Sequence, residues 1–391
     1  MLKVLVCFLL SSLLFVLLHP ITAATSYNVV DFGAKPDGKT DSTHAFLVAW
    51  AGACGSVSPA TVYVPPGSYL VSRAAFNGQC KNTDITIRIE GTLVAPSDYN
   101  VLGSSGYWLT FDGVTGVSIY GGTLDGQGSG LWSCKASGKS CPTGARSLTF
   151  MNSKNIVIDG LSSKNSQLYH IVIDSSKDVK VRGVKVTAPG NSPNTDGIHV
   201  QSSTAVTIQS SNIKTGDDCI SVGPATTNLW VEGIACGPGH GISIGSLGKD
   251  VNEAGVQNVT VKTVTFTGTE NGLRIKSWAR PSNGFVKGVL FEDATMQKSQ
   301  NPIIIDQNYC PHSEDCPGQV SGVKISQVTY KNIHGTSATE VAVKFDCSSK
   351  DPCTGIILED VNLTYDNQPA ESSCTNADGT TSGLIEPTSC L

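Results

Sequence analysis

Short runs in which two apolar residues flank one residue of any kind recur along most of the chain. "GVSIYG" begins at 116, "NIVIDG" at 155, "DVKVRG" at 178, "AVTIQS" at 205, "NLWVEG" at 228 and "NVTVKT" at 258. "GVLFED" at 288, "GVKISQ" at 322 and "GIILED" at 355 continue the series. Alternation of period two is that of a β-strand with one buried face. Counted from the first apolar residue, the central runs start at 156, 179, 206 and 229, so the steps are 23, 27 and 23 residues. A second short run often follows the first, as in "VRGVKVTA" and "IQSSNIKTG". No helical pattern interrupts them. Such a repeat cannot bury its own apolar face, and stacking one coil on the next supplies the core. The pattern therefore predicts an all-β solenoid whose strands pair in parallel from coil to coil, a parallel β-helix. An antiparallel sandwich would show turn signals every ~8–12 residues and two-residue hairpin loops.

The ends of the chain break this pattern. "DSTHAFLVAWAGAC", from Asp41 to Cys54, reads as a helix with Asp41 or Ser42 at its N-cap. An open solenoid end exposes core and unpaired strand edges, so this helix is expected to be the N-terminal cap. The Ser-, Thr- and Gly-rich tail between Cys374 and Cys390 reads as a disulfide-tied loop. At the start, Lys3 precedes a mostly apolar run from Val4 to Leu18, and Ala23 and Ala24 follow. That is the form of a secretory signal peptide over 1–23, too short for a membrane span of ~20 apolar residues. It leaves 24–391 as a single domain, with no membrane association once the signal is removed.

Cysteine usage agrees with export. Removing the signal removes Cys7 and leaves twelve of the thirteen cysteines, an even number suited to an oxidising compartment. Their spacing favours the local pairs Cys54–Cys80, Cys134–Cys141, Cys219–Cys236, Cys310–Cys316, Cys347–Cys353 and Cys374–Cys390. No CxxC or Cys/His cluster has zinc-ligand spacing, so no metal and no cofactor are expected. Asn258 and Asn362 head the sequons NVT and NLT, candidate glycosylation sites. The net charge of −5 makes nucleic acid an unsuitable partner. Forty-one glycines and only 15% charged residues fit many turns and closely stacked backbone.

The coil period also gathers polar residues. Asp196 in "NTD", Asp218 in "TGDDCIS" and His240 in "GPGHGIS" follow one another at 22-residue steps. Arg274 and Lys276 come 34 and 36 residues after His240, and Tyr309 lies 35 beyond Arg274. Residues at one phase of successive coils stack about 4.8 Å apart. Three carboxylates (with Asp217), an imidazole, two cations and a phenol are thus expected along one external stripe. Singly, each has an ordinary reading as a turn acid, loop histidine or solvated strand face. Their joint recurrence points to a site. Clustered carboxylates suit general acid–base work on glycosidic bonds, because repulsion keeps a proton on one while another stays ionised. A neighbouring Arg–Lys pair suits a sugar that bears a carboxylate.

At these residues the chain resembles the plant polygalacturonases, pectin-degrading glycoside hydrolases. The resemblance rests on "SPNTDGIHV", "TGDDCIS", "CGPGHGISIGSLG", "NGLRIKSW" and "NPIIIDQNYC" in that order, with "VVDFGAKPDGKTDST" and "GGTLDGQG" before them. It implies a right-handed parallel β-helix that hydrolyses α-1,4-linked galacturonan of the cell wall with inversion. Separately from the resemblance, a secreted monomer is expected. The resemblance further implies that Asp196 and Asp218 position and activate water and that Asp217 is the general acid. His240 would keep that acid protonated. Arg274, Lys276 and Tyr309 would hold the substrate carboxylate, with Asn194 orienting its neighbours. Two points strain against plain strand geometry. Alternation would send Asp217 and Asp218 to opposite faces unless Gly216 makes a bulge or turn. Adjacent rungs would also place the acids nearer the ~5 Å of retaining enzymes than the ~6.5–9.5 Å of inverting ones. A pectate lyase on the same fold and a non-catalytic wall-binding β-helix are the rival readings.

Overall fold

The computed structural model describes residues 25–311 and 316–391. The signal segment expected over 1–23, with Cys7, lies outside the described residues. The described chain winds as a right-handed parallel β-helix, and right-handed is the hand that twisted parallel strands favour. Its strands fall into an 18-stranded and an 11-stranded sheet.

The repeated runs occupy the larger sheet in the register that their spacing predicts. Val117, Ile156, Val179, Val206, Leu229, Val259 and Val289 pair in succession. The residue just before each is left-handed: Gly116, Asn155, Asp178, Ala205, Asn228, Asn258 and Gly288, with Ala205 the one that is not Gly, Asn or Asp. Gly, Asn and Asp tolerate that conformation best, which is why so many of the runs open with them. One run was misplaced by the sequence pattern. Val289 pairs with Val328, which pairs with Ile356, so the repeat is "QVTYKN" from Gln327 and not "GVKISQ" from Gly322. Gln327 adopts the left-handed turn at φ 55° without being a turn-type residue, and this hid the true start.

The smaller sheet carries shorter strands, including Arg146–Met151, Ile171–Asp174, Ile198–Gln201, Ile220–Val222, Ile242–Leu247 and Asn271–Trp278. Parallel in-register pairing puts like residues on like. Phe76, Phe111 and Phe150 pair in turn, and their rings stack at 4.7 and 4.8 Å. Buried serines do the same at the turns. Ser153 N donates to Ser176 Oγ at 3.1 Å, and Ser176 N donates to Ser203 Oγ at 3.0 Å, so backbone groups inside the coil are satisfied.

The expected helix spans Thr43–Gly55 with Ser42 at the N-cap. Asp41 Oδ1 accepts from Thr43 N at 2.8 Å, so the capping bond comes from the residue before. Ala45, Phe46, Ala49, Trp50 and Ala53 are buried and close the N-terminal end of the core. The tail corrects its expectation: Glu371–Thr375 and Ala377–Glu386 are strands that extend both sheets. Most of their residues are exposed or half-buried, so the apolar alternation that marks the other strands is missing. All six cysteine pairs join as expected. Asn258 is exposed, and its Nδ2 donates to Asn228 Oδ1 within the turn stack. Asn362 is half-buried in the strand Cys353–Tyr365. No helix among the described residues is long and apolar enough to cross a membrane.

Candidate active site

Asp196, Asp218 and His240 each stand two residues ahead of a strand of the smaller sheet. The residues they precede, Ile198, Ile220 and Ile242, pair in succession, so these three share a phase. Arg274 and Tyr309 do not share it. Leu273 pairs with Ile242, which places Asn271 at the phase of His240. Arg274 pairs with Ser243, and Ser243 with Ser221. These two small serines leave a lane along which the Arg274 side chain reaches back two coils. Its Nη2 donates to Asp218 Oδ1 at 2.7 Å, and its Nε donates to Ser243 Oγ at 2.8 Å. Ser243 Oγ donates to the same carboxylate oxygen at 2.7 Å. Lys276 Nζ donates to Asp218 Oδ2 at 2.9 Å.

Both members of the cation pair are thus engaged by Asp218 within the protein. Arg274 is 7% exposed, Lys276 6% and Asp218 1%, so one carboxylate holds two buried cations. Lys276 does line the cleft, as does Tyr309. Lys276 Nζ lies 5.1 Å from the centre of the Tyr309 ring, and that ring packs edge-on against Trp278 at 5.4 Å. The cleft encloses about 410 Å³, and Asp196, Asp217, Asp218 and Asn194 also line it.

The adjacent acids both reach the site because residues 215–218 form a bend ahead of the strand, where strand alternation does not apply. Gly216 makes the bend. A Cβ there would stand 2.2 Å from Ser192 O, and Gly216 N donates to Thr195 Oγ1 at 3.1 Å. Asp217 Oδ1 accepts from Asp218 N at 2.8 Å and lies 3.1 Å from His240 Nδ1. Asn194 Nδ2 donates to Asp217 Oδ2 at 3.4 Å. His240 Nε2 faces Glu270 Oε2 at 3.3 Å, so the imidazole bridges two carboxylates.

Charge divides the acids unequally. Burial pushes Asp196 well above the usual carboxylate range, and the charges of Asp217 and Asp218 add to the push. Burial acts in the same sense on Asp218, but Lys276 and Arg274 outweigh it and hold that carboxyl far below the usual range. Burial opposes protonation of His240. The Asp217 hydrogen bond, with the charges of Asp217, Glu270 and Asp218, outweighs it and raises the imidazole above its ordinary value. Ligand atoms of Asp217, Asp218 and His240 lie within 4.8 Å of one another, a spacing that could suit a cation. Both oxygens of Asp218 already face positive groups, whose charge opposes one.

The structure adds residues that the sequence reading missed: Arg146, Tyr169, His199, Ser221, Ser243 and Glu270. His199 Nδ1 lies 2.7 Å from Ser221 Oγ, and the His199 ring packs on Tyr169 at 5.0 Å. The signal for two of them was the coil phase itself. Tyr169 and Arg146 stand two residues ahead of Ile171 and Leu148, which pair with each other.

Comparison with known proteins places the chain among relatives. Residues 54–390 match the sequence profile described as "Glycosyl hydrolases family 28". The chain is 64% identical to a polygalacturonase of Prunus persica over 383 residues, covering 97% of this chain and 98% of the relative. It is 42% identical to an exopolygalacturonase of Platanus acerifolia, over 94% of this chain and 98% of the other. Among solved structures, the endo-xylogalacturonan hydrolase of Aspergillus tubingensis superposes with a TM-score of 0.79 at 24% identity, over 93% of this chain and 99% of that one.

Proposed function

The chain belongs to glycosyl hydrolase family 28, and on that premise we propose that it hydrolyses the α-1,4 bonds between galacturonate units of pectin. The observation that carries the reading is one cleft with three aspartates in unlike electrostatic settings. Asp218 is fixed as an anion between Lys276 and Arg274, and Asp196 is pushed toward protonation.

Asp217 donates a proton to the leaving glycosidic oxygen, and His240, 3.1 Å away and raised above its ordinary pKa, replenishes it. The bond from the anomeric carbon to that oxygen breaks. A water on the opposite face forms the new carbon–oxygen bond, which inverts the centre. A carboxyl with raised proton affinity is the stronger base once ionised. Asp196 therefore takes the proton of the water, and Asp218, a weak base locked by cations, orients it. Lys276 and Tyr309 face the substrate. Arg274 acts one step back, by fixing Asp218.

The protein is read as a monomer, exported through the segment 1–23 and acting in the cell wall; the six disulfides support an oxidising compartment. Polygalacturonate incubated with the protein and a chelator should release reducing ends without ultraviolet absorbance from unsaturated ends. Calcium-dependent unsaturated products would make it a lyase, and binding without new reducing ends a wall-binding protein. NMR of the first-formed anomer tests inversion, and the sizes of the first products separate internal from terminal cleavage.

A further inference from the structure

The coil phase shared by Asp196, Asp218 and His240 extends well before the acids. Tyr107 pairs with Arg146, and Leu148, Ile171 and Ile198 pair in succession. The stripe therefore runs Tyr107, Arg146, Tyr169, Asp196, Asp218, His240. Arg146 lines the same cleft as the acids. Its guanidinium carbon lies 5.0 Å from the Tyr107 ring centre and 5.6 Å from that of Tyr169, so the two rings hold it between them.

Two other cations near this cleft have a carboxylate partner. Arg274 and Lys276 face Asp218. Lys249 also lines the cleft and, like Arg146, enters no ion pair among the described residues. Its ammonium is a point charge on a flexible stem, whereas the Arg146 guanidinium is held between two rings. The Arg146 Nε is buried and without a hydrogen-bond partner. A guanidinium that is partly desolvated and unpaired is unfavourable, and the two rings offset only part of that cost. The arrangement makes sense if an anion completes it, since a guanidinium matches a carboxylate through parallel hydrogen bonds.

We propose that Arg146 reads the carboxylate of a galacturonate unit bound along the cleft from the bond that is cut. This rests on the polygalacturonan reading and deepens it. Asp196 lies two coils beyond Arg146, roughly 10 Å along the axis at the usual strand spacing. That is too far for the sugar being cleaved and within reach of one further along. The protein is net acidic and the polymer is an anion, so long-range attraction does not seat it. With Arg274 spent on Asp218, Arg146 is the cleft guanidinium left to recognise acid sugars.

The test uses the full-length protein and two variants. Arg146→Met keeps a long side chain between the rings without charge, and Arg146→Lys keeps the charge. Kinetics are measured on demethylated galacturonate oligomers of increasing length and on their methyl esters, with Tm recorded for each protein. Arg146→Met should raise KM on long demethylated oligomers roughly 10- to 100-fold, with most of the loss in KM rather than kcat. Arg146→Lys should recover part of it, and methyl esters should erase most of the difference. An Arg146→Met protein with wild-type KM on the long acid oligomers, or with equal loss on acid and ester, would overturn the proposal and leave Arg146 a packing residue. A wild-type protein that leaves polygalacturonate uncut would instead overturn the reading on which the proposal rests.

Discussion

Asp217 and Asp218 are neighbours in the chain and opposites in setting. Asp218 meets two cations, whereas Asp217 meets His240 and Asn194. Glu270 stands behind His240, 3.3 Å from Nε2. The groups facing His240 are Asp217 and Asp218 from the preceding coil and Glu270 from the following one. Arg274 and Lys276 of that same coil are engaged by Asp218. Replacing Glu270 with Gln removes a negative charge that favours the imidazolium, so His240 should release its proton at lower pH. The alkaline limb of kcat/KM should move to lower pH by roughly 0.5–1 unit. A pH–rate profile checks this, and an unmoved limb would mean that another group sets it. Arg274 gives the second test at this scale. The sequence reading made it a reader of the sugar carboxylate, and Arg274→Lys would then hurt acid substrates selectively. Its bonds to Asp218 and Ser243 change the expectation. Arg274→Lys should lower kcat/KM by on the order of 10-fold on demethylated and methyl-esterified oligomers alike. Selective loss on the acid substrate would restore the earlier role. The residue types were legible in the sequence. The direction of the guanidinium was not, because it depends on Ser221 and Ser243 being small at paired positions of two other strands.

At the scale of elements, the bend at residues 215–218 carries the acids and the next turn carries His240. The bridge Cys219–Cys236 ties the strand after the bend to the chain leading into that turn. His240 N donates to Asp217 O at 2.8 Å, so the two turns are also joined by backbone. Replacing both cysteines with Ala should cost about 3 kcal/mol, from the closure entropy of a loop of this length. Activity should fall earlier on heating than global unfolding, because the acid-bearing turn loosens first. Thermal inactivation followed beside circular dichroism tests this, and coincident curves would show that the bridge serves the whole coil rather than the site. The cysteine pairing was readable because the partners are close in sequence. The repeat at Gln327 and the two final strands were not. A glutamine in a left-handed turn leaves no compositional mark, and the two final strands are mostly exposed, so they lack the apolar alternation.

For the whole molecule, the site acts on stability in opposite directions at the two ends of the pH scale. Asp218 has its folded pKa lowered, so its stabilisation is present above the ordinary carboxylate range and is lost as pH falls below it. Asp196 has its folded pKa raised, so stability declines as pH climbs from the ordinary carboxylate range, about 4, through the folded value. His240, also raised, adds a loss as pH rises through its own folded value. Asp196→Asn removes a group that is costly to ionise inside the fold. It should raise Tm by a few degrees at pH 7 and by less near pH 4, while lowering turnover by roughly 100-fold or more. A Tm at pH 7 equal to or below wild type would show that burial of Asp196 is not under strain. The sequence by itself determined the solenoid, its capping helix, the cysteine pairs and the three aspartates with His240, because each is local or repeats at the coil step. Only the tertiary structure decided that Arg274 turns inward to Asp218, that Arg146 joins the cleft and that the strongest pull toward protonation falls on Asp196. Those outcomes arise from through-space charge and burial between coils whose connecting turns differ in length, and a one-dimensional count does not carry that information.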